Sequence, residues 1–102
     1  MNSVIAQRQA MLIKGTKILA SKLHRFCFDN IHTNDVRVAM QYGAASKTLE
    51  IVNKFNFDHF FGEEVTVKEL GYLYGAVLSC AALGIGFCND FIEELKVVAN
   101  AA

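Results

Sequence analysis

The side chains best equipped for chemistry stand in pairs, and pairs are too few for a site. His24 and Cys27 are three residues apart on one helical segment, close enough to share a metal ion or to act as base and nucleophile. A zinc site needs three or four ligands, and no second pair such as Cys-x-x-Cys accompanies them; His32 and His59 could join only through the fold. A cysteine nucleophile also needs an orienting group and an oxyanion donor, and no motif supplies either. Asp58 and His59 are adjacent, as are Glu63 with Glu64 and Glu93 with Glu94. Neighbouring side chains on a helix diverge, so these acids are expected to solvate a surface rather than share a proton. No phosphate-binding loop, dinucleotide fingerprint, nucleophile elbow or metalloprotease motif is present. The expectation is a protein that is not an enzyme and uses no cofactor or metal.

Cationic residues offer a second chemistry. Lys14, Lys17, Ser21 and Arg25 fall at spacings of three and four, one stripe on a helix, with Lys22, His24 and Arg37 able to flank it. Clustered cations can meet the phosphates of a nucleic acid or nucleotide, so Lys14, Lys17, Arg25 and Arg37 are candidate anion ligands. The pattern is also that of a solvated helix face. Net charge is zero, yet residues 1–54 carry a net +5 and residues 55–102 a net −5, which points to halves that complement each other within the fold or across a dimer.

These groups must be positioned by a single domain of 102 residues. Hydrophobic residues make up 53% of the chain; with glycine added this exceeds the usual share of about 45–50%. A small domain has little interior, so the surplus asks for a partner. Three cysteines without metal spacing, and an N-terminus without a signal-peptide pattern, read as free thiols in a reducing, cytoplasmic compartment.

Apolar pairs at Val4–Ile5, Met11–Leu12 and Ile18–Leu19 recur every seven residues and predict a helix over 3–29, with Ser3 as N-cap. Thr33 or Asn34 should cap a second helix over 34–54. Its apolar residues form two faces, Val36, Met40 and Gly43 on one and Val38, Tyr42, Ala45, Leu49 and Val52 on the other, so it should lie between neighbours. Residues 55–64 hold four phenylalanines and read as a loop or short strand. Its rings are expected to plug the end of a bundle; the alternative is an exposed anchor in which Phe57, Phe60 and Phe61 bind a partner.

Thr66-Val-Lys-Glu69 fits a capping box and starts a third helix over 66–100. Leu70 to Cys88 is uncharged and contains Gly71, Gly75, Gly84 and Gly86. Each glycine inside a helix costs roughly 1 kcal/mol relative to alanine, so close backbone approach is the expected reason for them. The run has bilayer length, but its tyrosines, serine and glycines and its amphipathic continuation argue for a buried helix and against a membrane span. A rod of about 51 Å outruns a domain whose radius of gyration is about 13 Å. The third helix must therefore kink or split at Gly84–Gly86, or overhang and bury its end in another chain; the apolar surplus favours the overhang.

The sequence thus predicts an all-α antiparallel bundle of three long helices, one domain over 1–102, assembling as a homo-oligomer through Gly71, Gly75, Val77, Gly84 and Phe91. Its expected function is to bind another protein as an inhibitor, adaptor or regulator. The alternative is binding of nucleic acid or nucleotide through the basic face of the first helix.

Overall fold

A computed structural model describes the backbone of residues 3–100 and the side chains of 7–96. The side chains of Ser3, Val4 and Ile5, which entered the sequence expectations, lie outside the described residues. The described residues form four helices, α1 (Ser3–Asn30), α2 (Val36–Asp58), α3 (Val67–Ala82) and α4 (Gly86–Asn100). They run alternately up and down. Each packs on its chain neighbours, and α4 closes the ring against α1. The bundle measures 52 × 25 × 20 Å. No strand occurs among the described residues, and none of their helices is long and apolar enough to cross a membrane.

The expected third rod is two helices, which corrects both the helix count and the overhang. Gly84 adopts φ +92°, a left-handed conformation that glycine enters without steric cost. Around it Gly84 N donates to Ala81 O at 2.9 Å and Ile85 N to Cys80 O at 3.2 Å, the paired bonds of a Schellman helix end. Ile85, just past the turn, is buried and fixes the reversal. The hydrophobic period crosses this turn undisturbed, because α3 and α4 each bury one stripe.

The boundary of α2 also moves. Asp35 is its N-cap, in place of Thr33 or Asn34, with its carboxylate accepting from Arg37 N at 2.8 Å and Val38 N at 3.2 Å. The helix continues to Asp58, since nothing in Phe55-Asn-Phe-Asp breaks it, so the first four residues of the expected aromatic loop are helical.

The core draws on every helix: Leu12, Leu19 and Leu23; Ala45, Val52 and Phe55; Leu73, Val77 and Cys80; Ile85, Cys88, Phe91 and Ile92. Full burial of one such leucine contributes about 1.5–3 kcal/mol. Gly15 faces the Phe91 ring, where a Cβ would lie 3.4 Å away, at ordinary van der Waals distance. Buried Thr16 donates to Asn56 Oδ1 at 2.6 Å, and Asn56 Nδ2 returns to Thr16 O at 3.3 Å, tying α1 to α2.

Candidate functional site

The aromatic segment turns the chain from α2 into α3, and its phenylalanines divide sharply. Phe55 is in the core, whereas Phe57, Phe60 and Phe61 are 81%, 68% and 86% exposed. The expected plug is therefore a projecting tip. Phe60 and Phe61 meet edge to face with centroids 5.0 Å apart, an arrangement that aromatic quadrupoles favour.

The backbone beneath these rings is fastened from three sides. His59 is only 4% exposed. Its ring lies 4.7 Å from that of Phe55; Nδ1 is 2.8 Å from Glu63 O and Nε2 is 2.7 Å from Glu69 Oε2. Both partners are acceptors, so only the imidazolium, with two N–H donors, satisfies both. Burial works against that charge, but the Glu63 carbonyl, the Glu69 carboxylate and nearby Asp58 outweigh it and raise the His59 pKa.

Glu69 serves two structures at once. Its Oε1 accepts from Thr66 N at 3.0 Å in the capping box while its Oε2 holds His59. The Thr66 backbone bond and the His59 bond together lower its pKa. On the other side, Gln9 of α1 donates to Glu63 O at 2.9 Å and accepts from Val65 N at 3.2 Å. Gly62, at φ +85°, makes the turn between these clamps.

The expected self-association residues do not share one face. Val77 and Phe91 lie in this chain's own core, which removes them from any outer contact. Gly84 forms the α3–α4 turn, and Gly86 opens α4. Gly71 and Gly75 are exposed, and a Cβ at either would meet nothing within 4 Å. With Gly43, Ala44, Ala76 and Tyr72 they line a furrow of about 360 Å³ between α2 and α3. No intrachain backbone comes close enough to explain them.

The expected anion ligands are dispersed. Lys14 and Lys17 are exposed on α1, and Lys14 stands eleven residues, about 16 Å, from Arg25. Arg25 lines an open groove of about 660 Å³ between α1 and α2 beside Ser21, His24, Phe28 and Asn53, and is ion-paired with Asp29 at 3.6 Å. Arg37 instead reaches the α3–α4 turn, where its Nη2 would lie 3.4 Å from a Cβ on residue 84.

His24 and His32 are exposed and Cys27 is half-buried, its pKa raised by burial and by Cys80. Among the described residues no three His, Cys, Asp or Glu side chains gather as a metal site. Cys80 and Cys88 are fully buried across the α3–α4 turn, and the Thr48 hydroxyl lies 3.1 Å from Cys80 Sγ. The hydrogen bond from Cys88, helped by Thr48 against burial, lowers the Cys80 pKa; that same bond and burial hold Cys88 far above the ordinary thiol range. Sealed from solvent, the pair is packed structure.

No family model, curated protein or solved structure matches this chain.

Proposed function

We propose that the protein is a non-catalytic association module that binds another protein through Phe57, Phe60 and Phe61, acting as an inhibitor, adaptor or regulator. One observation supports this reading above the others. Three exposed phenylalanines stand on a backbone that Gln9, His59 and the Thr66–Glu69 capping box hold in place. Aromatic anchors dominate interface energetics, and a contact surface already ordered loses less entropy on binding. The tip is convex and suits a pocket on its partner. Exposed Glu63 and Glu64 at its border favour a basic rim there. The free thiols favour a reducing, cytoplasmic setting.

The test is a variant carrying Phe57→Ser, Phe60→Ser and Phe61→Ser, used beside the wild type as bait in native-host extract. All three positions are exposed, so the helical circular dichroism should persist. A partner held by the wild type should be lost from the variant. Retention of every wild-type partner by the folded variant would refute the reading.

A further inference from the structure

The outer face of α2 carries a seam that the rest of the chain leaves uncovered. Starting at Val36 and stepping alternately four and three residues, it passes Met40, Gly43, Lys47, Glu50, Lys54 and Phe57, and ends at Phe61 in the turn. From Val36 to Phe57 this is the spacing of a two-helix seam; Phe61 lies past the end of α2 and prolongs it only as an exposed ring in the turn. All eight positions are exposed, and Val36 (76%) and Met40 (56%) join Phe57 and Phe61 as large apolar side chains facing water. The opposite face of the same helix buries Ala45, Thr48, Val52 and Phe55. The seam is apolar at both ends and charged in the middle.

We propose that the seam pairs with the same seam of a second copy, antiparallel about a two-fold axis midway between Lys47 and Glu50. This rests on the association reading above and divides its anchors, giving Phe57 and Phe61 to a second copy and leaving Phe60 to meet a different protein. In that register Lys47 meets Glu50 of the partner subunit and Glu50 meets the partner's Lys47. Met40 meets the partner's Phe57, and Val36 meets the partner's Phe61. Gly43 faces the partner's Lys54, and since a Cβ on Gly43 would meet nothing within 4 Å, there is room for the lysine stem.

The sequence of the seam selects this arrangement. A parallel pair in register would oppose Lys47 to lysine, Glu50 to glutamate and Lys54 to lysine, which like-charge repulsion disfavours. The antiparallel pair converts the central charges into two Lys–Glu contacts and places every exposed large apolar residue of the seam opposite another. A surface patch that complements itself in this way is what a two-fold dimer requires. Among the described residues Lys47 and Glu50 have no ion-pair partner.

Sedimentation equilibrium of the full chain tests the pairing, with an expected mass twice the 11.3 kDa of one chain. Lys47→Glu and Glu50→Lys each create two like-charge contacts and should weaken the dimer about tenfold or more. The double variant K47E/E50K should restore it. Met40→Asp, at an exposed position, should also weaken it. A monomeric wild type at high micromolar concentration would overturn the proposal. So would a double variant as weak as its parents, or a dimer indifferent to all three single changes. A monomer that co-sediments with phosphatidylcholine vesicles would assign these side chains to a lipid surface and overturn it as well. Phe60 lies off the seam, although its ring rests on Phe61, so Phe60→Ser should disturb the dimer far less than Met40→Asp while weakening capture of a different protein. The two readings can therefore fail separately.

Discussion

His59 Nε2 lies 2.7 Å from Glu69 Oε2, and through that single contact the end of α2 is locked to the first turn of α3. The lock is what allows an aromatic tip to be both exposed and ordered. Removing the Glu69 contact should release the turn and leave the helices standing, because the His59 ring still packs on the core residue Phe55.

The first prediction concerns pH. The His59 pKa is raised on folding, so its stabilising contribution is complete below its ordinary value of 6.5 and is lost as pH climbs through the raised one. Glu69 has the opposite sign: its contribution is present above its ordinary value of 4.5 and disappears as pH falls through the lowered one. The turn should be firmest between those two values. Amide exchange at Val65 and Thr66, corrected for intrinsic rate, should show protection falling on both sides. His59→Gln should abolish the alkaline limb.

Gln9→Ala removes the hydrogen bonds to Gly62 O, Glu63 O and Val65 N that hold the turn from α1. Its partners are exposed or part-buried backbone groups of the turn, outside the core, so global stability should drop by no more than about 1 kcal/mol. Amide protection at Val65 should fall much further, which separates a local clamp from a core contact.

The glycines should respond in opposite directions. Gly84→Ala forces a side chain into φ +92° and should cost about 1–2 kcal/mol in urea unfolding. Gly71→Ala and Gly75→Ala add a methyl into open space within α3 and should each stabilise the chain by up to about 1 kcal/mol. A loss at either would show that a second backbone does lie in the furrow.

The thiols should follow burial. A disulfide reagent should label half-buried Cys27 first, and reach Cys80 and Cys88 only at the rate of unfolding. Rapid labelling of Cys80 in the native chain would contradict the packing of Thr48 against it.

Some of this was legible in the residues and some was not. The capping box at Thr66 and Glu69 follows from local spacing, and the structure carries it; the two apolar faces of α2 follow from spacing too, but Val36, Met40 and Gly43 are exposed where a neighbour is expected. The fate of each face does not follow from spacing, because a covered stripe and an uncovered one have the same periodicity. For the same reason Phe57, Phe60 and Phe61 read as a plug. The hairpin at Gly84 depends on a backbone angle that a continuous hydrophobic phase conceals. Gln9 carries no signal at all: its partners are more than fifty positions away, and an isolated glutamine on a helix has no pattern.

The most direct measurement is hydroxyl-radical footprinting of Met40, Phe57, Phe60 and Phe61 in native cells, compared with dilute purified protein. The expected result is strong oxidation of all four in dilution and protection of Met40, Phe57 and Phe61 together in the cell, with Phe60 protected where a further protein is bound. Equal oxidation of these residues in both settings would show that α2 and its tip face water in life, and would contradict the association surface assigned to them.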